Sequence, residues 1–395
     1  MKHYHENLNK KSRLTLDPLA ALPNAPLLAP LEPDKLRARI DGALRIQNDY
    51  YPCFDWTFPP PITQKTRGTI TAEKLFEHPS VVPGRYSVYL HVPFCASLCK
   101  FCYYPVIPGQ HDAEMERYVD YLLKEASLYA PVFAGQECES IYLGGGTPTH
   151  LPSALLQRLI DGLTRRFRLA PGAEFTIESA PGSIPEDKLL LLKQLGVNRL
   201  SYGIQTLDEQ LLAGLNRNYT VAGAKEELRN AVRIIGNVNI DTMYGFEGES
   251  AHALLDTLRE FVTLGVPCVS IYALDGQRCN SDRAKDMPAR DAQYDRKIET
   301  YRAAREYLAG QGFRPVLQNI FLQPERASYK HQLRRWENLP LVALGISSTG
   351  YAPRRLYQNP LGIKTWVEKL DRGELPVMEW EDLTAENEIM REVVS

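Results

Sequence analysis

Tyr89-Leu-His-Val-Pro-Phe-Cys-Ala-Ser-Leu-Cys-Lys-Phe-Cys-Tyr-Tyr104 carries three cysteines, Cys95, Cys99 and Cys102, spaced C-x3-C-x2-C. The chain has seven cysteines in 395 residues. At that density the spacing arises by chance roughly 0.002 times per chain, so the three are read together as one binding loop. Three thiolates on a short loop suit a [4Fe–4S] cube and leave one iron without a protein ligand. A cluster that only carries electrons normally has four cysteine ligands, so an open iron implies chemistry rather than electron storage. A structural zinc site commonly uses two C-x2-C pairs, and the sequence has no second pair. His91, four residues ahead of Cys95 on an expected strand, is read as packing beside the loop. Cys53, Cys138, Cys268 and Cys279 are scattered and are read as small buried hydrophobes.

With aromatic Phe101 directly before the last cysteine, the spacing resembles the radical S-adenosylmethionine (SAM) superfamily. The resemblance implies that the open iron chelates the methionine amine and carboxylate of SAM. One electron then breaks the sulfonium C–S bond, giving methionine and a 5′-deoxyadenosyl radical that abstracts hydrogen from the substrate. An external electron donor such as flavodoxin or ferredoxin is implied as a partner.

Composition agrees with a globular chain: 44% hydrophobic, 24% charged, formal net charge −2. That balance offers no polycation for nucleic acid and no basic surface for a membrane. No apolar run approaches the roughly 18 residues of a membrane span, and Met1 to Lys11 has no apolar signal-peptide core. The expectation is a cytoplasmic monomer with a small-molecule substrate.

Residues 1–80 read as an arm. The stretch 17–34 is rich in proline, and Pro59-Pro-Pro61 follows aromatics at Tyr50, Tyr51, Phe54, Trp56 and Phe58. Proline removes donors and stiffens the backbone, so long regular elements are not expected there beyond one helix near 32–48. The aromatic cluster is read as a plug over one end of the main domain, with a substrate lid as the alternative. From Tyr86 the pattern becomes strand, loop, helix, repeated. Strands are expected at 86–92, 140–143, 174–178, 199–204, 238–244 and 267–273. Helices are expected at 113–130, 152–167, 185–195, 221–235, 251–264 and 291–310. Such alternation implies α/β architecture with a parallel sheet, here a partial (β/α)6 barrel over 81–352, its chemistry at the C-terminal ends of the strands.

The remaining motifs follow strands. Gly144-Gly-Gly-Thr-Pro-Thr149 lets backbone amides approach a ligand closely. Glu178 ends the next strand and is suited to accept both hydroxyls of a ribose. Gln205, Arg217 and Asp241 continue the series at strand and loop ends. Arg217 and Asp241 form a charge-matched pair for a zwitterionic amino acid, guanidinium to carboxylate and carboxylate to ammonium.

Tyr-x-His-x-Pro-Phe-Cys, Gly-Gly-Gly-Thr-Pro-Thr, Arg-Leu-Ser-x-Gly-x-Gln, Leu-Asn-Arg and Asn-Ile-Asp-x-x-Tyr-Gly together resemble the oxygen-independent coproporphyrinogen III oxidase family. The similarity runs from about Tyr86 to the C-terminus. It implies two SAM molecules side by side. Tyr89, Gly145 and Glu178 match contacts to the cluster-bound SAM, and Gly345-Ile-Ser-Ser-Thr349 resembles the family's late strand beside it, which makes Thr349 a further candidate. Phe101, Gly146, Thr147, Gln205, Arg217, Asp241 and Ala273 match contacts to the second. Residues 353–395 resemble the start of the family's small C-terminal helical domain.

Two departures shape the functional expectation. Porphyrinogen-oxidising members carry a fourth cysteine two residues after the third; here Tyr104 stands there and is counted with the cysteines as a catalytic candidate. Their Tyr-Gly-Leu-Pro segment is Tyr244-Gly-Phe-Glu247 here. Family methyltransferases also lack the fourth cysteine and use the second SAM as a one-carbon donor. The expectation is therefore methylation or cyclopropanation of an sp2 carbon in a specialised metabolite. The alternatives are a porphyrinogen oxidative decarboxylase, or another tetrapyrrole-modifying enzyme, and a haem chaperone.

Overall fold

Runs of β-branched and aromatic residues alternate with amphipathic stretches, and in the computed structural model they become a parallel sheet with crossover helices. The structure describes residues 65–109, 111–217, 219–246, 248–250, 252–274 and 294–388. The expected helix near 32–48, the N-terminal aromatics, Cys53, Glu247 and Cys279 lie outside them.

The expected strands form as β1 (Arg85–Val92), β2 (Glu137–Gly145), β3 (Leu169–Ser179), β4 (Arg199–Gln205), β5 (Val238–Tyr244) and β6 (Cys268–Ala273). Each pairs in parallel with the next. Between them run α1 (Asp112–Tyr129), α2 (Ser153–Arg166), α3 (Glu186–Gln194), α4 (Val221–Ile234) and α5 (Ala253–Thr263), followed by α6 (Tyr294–Gly310). Parallel pairing needs a long crossover, and these helices supply it. β1 and β2 are buried at nearly every position, as a sheet covered on both faces requires. On α1 the buried positions Met115, Tyr118, Val119, Leu122, Ala126 and Tyr129 recur at helical spacing. Cys138 and Cys268 are fully buried, as expected of small core residues.

The sheet does not close. On one side β6 meets the antiparallel β7 (Ile320–Leu322). On the other, β8 (Leu341–Leu344) lies parallel to β1, adding a parallel strand that the sequence pattern had not indicated. Four residues behind the short, charged α7 (Lys330–Trp336) are too few to show a period. The antiparallel β9 (Thr349–Ala352), β10 (Arg355–Gln358) and β11 (Glu379–Asp382) extend the sheet beyond β8. The expected boundary at 352/353 therefore runs through the β9–β10 hairpin. The C-terminal segment first contributes sheet and the helix α8 (Ile363–Asp371), and a further helix begins only at 385. The end of the expected arm joins the same edge, where Thr66 and Trp380 exchange backbone hydrogen bonds of 2.8 and 3.0 Å.

The opposite end of the barrel is plugged by the turn into α7. Glu174 accepts the backbone N–H of Lys330 (2.7 Å) and His331 (3.1 Å). His331 Nδ1 lies 2.8 Å from Ser140 Oγ. Burial pushes the His331 pKa down to about 3, with Arg335 and Arg199 adding to the effect, so the ring is neutral. Among the described residues no helix is long and apolar enough to cross a membrane.

One buried carboxylate ties the C-terminal extension to the barrel. Glu125 on α1 accepts Gly345 N–H (2.8 Å), Trp366 Nε1–H (2.9 Å) and Asn359 Nδ2–H (2.7 Å). Burial pushes its carboxyl up to about 7, against the pull of the three donors. Glu125→Ala strands those donors and should cost about 3 kcal/mol in urea unfolding. The folded chain holds this proton to a higher pH than the unfolded chain, whose value is near the ordinary 4.5. Stability contributed here therefore falls as pH rises from 4.5 to about 7. Glu125→Gln should give a shallower slope across that window, measured by unfolding at a series of pH values.

Candidate active site

The C-terminal ends of β1 to β6 surround a cavity of about 490 Å3, within the range of roughly 300–1,000 Å3 usual for small-molecule sites. Cys95, Cys99 and Cys102 all line it and are all half-buried. Cys95 ends a two-residue strand paired with Ile107–Pro108, and its Sγ lies 3.5 Å from Thr147 Oγ1. Burial pushes the Cys95 thiol up to about 11, the Thr147 hydroxyl opposing and the neighbouring Cys102 and Cys99 adding to it. Farther along, the cysteine loop is tied to the turn after β4. Lys100 N–H donates to Leu215 O (3.3 Å) and Asn216 Nδ2–H to Leu98 O (2.8 Å). Asn216 holds a left-handed backbone, φ 59°, which asparagine tolerates. His91 is spent on structure: Nε2 lies 2.9 Å from Pro105 O and Nδ1 3.4 Å from Tyr89 OH. Burial lowers its pKa.

The glycine run sits against this loop with no space for side chains. A Cβ on Gly146 would lie 2.8 Å from the backbone of Pro93 and Phe94. Gly145, at φ 114°, would place one 2.6 Å from the His91 ring. Glu178 closes the floor of the turn by accepting Gly145 N–H (2.8 Å) and Tyr142 OH (2.7 Å). Burial pushes Glu178 up to about 7, with Tyr142 pulling down and Asp241 pushing up.

Across the cavity lie Gln205, Arg217 and Asp241. Gln205 has φ 71° at a bulge between β4 and β5, a strained conformation for a non-glycine residue. Arg217 Nη1 donates to Gly203 O (3.4 Å), and its guanidinium lies 5.6 Å from the Phe101 ring centroid. Its buried Nε has no hydrogen-bond partner among the described residues. Asp241 departs from the expectation of a strand end. It sits three residues inside β5, which continues to Tyr244, and faces the barrel interior. Its carboxylate accepts Ser201 Oγ–H (2.9 Å) and Asn239 Nδ2–H (3.0 Å), and Ser270 Oγ–H donates to Asn239 Oδ1 (3.0 Å). Burial raises the Asp241 pKa and these partners oppose it.

Phe101, Tyr104, Gly145, Gly146, Thr147, Glu178, Gln205, Arg217, Asp241 and Ala273 are thus brought to one cavity. Tyr104 lies at its rim, half-exposed, its ring stacked on Tyr103 with centroids 4.5 Å apart. Two expected residues are not brought in. Tyr89 stands behind the wall, stacked on Tyr142 at 6.0 Å. Thr349 is exposed, because Gly345 to Ser348 form a turn and Thr349 starts the antiparallel β9. Tyr142, Ser201, Asn239 and Ser270 also line the cavity without having been candidates; Ser201 and Asn239 lie within the quoted Arg-Leu-Ser and Asn-Ile-Asp runs, and all four alternate with core residues along a strand.

Residues 89–261 match the radical SAM superfamily. The chain is 28% identical over 267 residues to the haem chaperone HemW of Escherichia coli K12, covering 67% of this chain and 69% of that protein. It is 27% identical over 324 residues to the oxygen-independent coproporphyrinogen III oxidase of Synechocystis, covering 78% and 69%. The solved structure of the E. coli coproporphyrinogen III oxidase HemN, a radical SAM enzyme, superposes with a TM-score of 0.74 at 22% identity, covering 86% of this chain and 81% of that one, which shows a shared fold. Residues 89–261 thus match a superfamily whose cofactors are a [4Fe–4S] cluster and SAM, and whose members need a small-molecule substrate and an electron donor. These relatives are haem chaperones and coproporphyrinogen oxidases, so the one-carbon-transfer subtype expected from the sequence gains no support from them.

The residues fit those cofactors. Three thiols share one wall, a glycine cradle lies beside them, and Arg217 presents an orphaned buried nitrogen. Among the described residues no three His, Cys, Asp or Glu side chains converge to hold a single metal ion. Gly146→Ala forces a methyl group against backbone that has no rotamer to yield. It should weaken SAM binding to the cluster-loaded protein at least about tenfold, read by equilibrium dialysis.

Proposed function

We propose that this radical SAM protein holds its cluster on Cys95, Cys99 and Cys102, binds SAM against Gly145 and Glu178, and acts on a tetrapyrrole-class substrate. The carrying observation is the single cavity that gathers the three thiols, the Glu178–Gly145 hydrogen bond and two residues of opposite charge, Arg217 and Asp241. The substrate class rests on the relatives, one named for haem and one for coproporphyrinogen. When bound, the cluster and SAM supply a carbon radical able to take a hydrogen atom from an unactivated C–H bond.

The protein's own part is placement. Gly145 and Gly146 let a ligand approach the backbone, and Glu178 offers a carboxylate acceptor suited to a diol. Arg217 and Asp241 supply the charges that an amino-acid head group not held by iron requires. The turn at Leu215 and Asn216 couples Arg217 to the cysteine loop, so ligand and cluster share one support.

A second reading, one-carbon transfer from a second SAM, is favoured by a specific pair of observations. All seven candidates for that site, from Phe101 to Ala273, line the cavity, and Tyr104 occupies the rim in place of a fourth cysteine. Anaerobic incubation with coproporphyrinogen III and methyl-deuterated SAM separates the two. A new tetrapyrrole mass forming in step with 5′-deoxyadenosine is expected; loss of carbon dioxide without label means oxidation, and gain of a labelled carbon means transfer. SAM cleavage with coproporphyrinogen untouched would remove this substrate and count against the tetrapyrrole class.

Two variants test the cofactor assignments. Cys99→Ala should lose the cluster's iron and SAM cleavage together, while Cys138→Ala and Cys268→Ala retain both. Arg217→Ala and Asp241→Ala each remove a charge-assisted contact worth about 1.5–3 kcal/mol. A second SAM should then bind about 10- to 150-fold more weakly while the first is retained. Binding stoichiometry on cluster-loaded protein reports it, and a wild-type value of one in the presence of substrate refutes the second site.

A further inference from the structure

Arg199 is among the largest fully buried side chains of the described structure, and nothing in the site described above uses it. None of its three guanidinium nitrogens meets a nitrogen or oxygen partner among the described residues, and the Cys268 thiol is the one polar side chain that interacts with it at hydrogen-bonding range there. Its guanidinium carbon lies 3.7 Å from the centroid of Tyr329, whose ring forms part of the cavity floor. Burying a charge costs several kcal/mol unless other groups compensate, and here no carboxylate touches it. What surrounds it at longer range is acidic: Glu174 and Glu178 on β3 and Asp241 on β5. The other groups that face it are Tyr142 on β2, Cys268 on β6, and Tyr329 and His331 at the plug. His331 is neutral, and Arg335 lies beyond it.

We propose that Arg199 is a positioning residue: a cation sealed beneath the cavity floor that supplies the counter-charge for Glu174, Glu178 and Asp241 together, and so holds Glu178 and Asp241 ready as anions for a cationic, hydroxyl-bearing ligand. The stack on Tyr329 fixes the guanidinium under the floor, and Glu174 fixes that stack by binding the N–H groups of the next two residues. Burial works against the Arg199 charge, and Glu174, Tyr329, Cys268 and Tyr142 together more than offset it. Burial pushes both site carboxylates toward neutrality, and Arg199 opposes it in each. The ligand arm of this inference rests on the reading that Glu178 and Asp241 face SAM; the charge arm does not.

The test uses the full-length, cluster-loaded chain free of SAM, with 13C-labelled aspartate and glutamate. Infrared titration follows the carboxylates, and Glu178→Gln and Asp241→Asn assign the bands. Arg199→Met and Arg199→Gln remove the charge, while Arg199→Lys keeps it. Met replaces the buried ion by an apolar stem of similar length, a change that cores often accept. Should it not fold, Arg199→Met with Glu174→Gln removes a cation and an anion together.

The wild-type Glu178 midpoint is expected near 7. Without the cation it should rise by about one pH unit or more, with Arg199→Lys staying near wild type. Removing the cation raises the carboxylate pKa, so SAM affinity should fall about fivefold or more at neutral pH and recover as pH rises. Unchanged midpoints in the charge-free variants overturn the proposal. So does an equal shift in Arg199→Lys, which would mean packing rather than charge. Shifted midpoints with unaltered SAM affinity uphold Arg199 and instead refute the assignment of Glu178 and Asp241 to SAM.

Discussion

Parallel pairing governs this molecule. Once β8 and β1 through β6 run the same way, every segment that leaves a strand at its C-terminal end emerges on one rim. The cysteine loop after β1, the glycines closing β2, Glu178 near the end of β3 and the Arg217 turn after β4 meet there for that reason. The glycines let two of these segments touch directly, since a Cβ on Gly146 would strike the backbone of Pro93 and Phe94. Leaving the barrel open also has a structural cost, because both edges must be covered. Antiparallel strands cover both sides, and the final segment of the arm adds a bridge at Trp380.

A barrel interior of low dielectric is a poor place for charge, yet this one contains several. Asp241 and Glu178 persist there because each is supplied with donors, a hydroxyl and a side-chain amide for one, a phenol and a backbone N–H for the other. Glu125 follows the same logic outside the cavity, where one donor from the turn after β8 and two from the C-terminal extension converge on it. Hydrogen bonds to a charged group are stronger than neutral ones, so each carboxylate also acts as a clamp. Glu125 joins α1 to β8's turn and α8, and Glu178 joins β3 to the glycine turn.

The two ends of the barrel are linked through Tyr142. Its ring packs on His331 of the plug at 5.0 Å and its hydroxyl reaches Glu178. The plug therefore supports the reactive rim through one side chain, while Tyr329 sets the depth of the cavity from below. No motif announces this role. The cavity walls come from residues two apart along strands, whose common direction appears only after the sheet has formed.

By itself the sequence singled out the cysteine loop and determined the order of the elements. The C-x3-C-x2-C run is local, and local spacing survives whatever the rest of the chain does. Helices and strands from Tyr86 to Ala273 were legible because their hydrophobic periods are long and their turns carry glycine and proline. What tertiary structure decided was direction and depth. Asp241 lies inside β5 rather than at its end, Thr349 turns away to begin an antiparallel strand, and Tyr89 stands behind Tyr142. The burial of Arg199, which opens the Arg-Leu-Ser-x-Gly-x-Gln run, is not legible in that run, since a charge's environment is made by strands far away in the chain. Burial, register and the field of distant charges exist only in the folded molecule, and they separate a residue at the site from one merely near it.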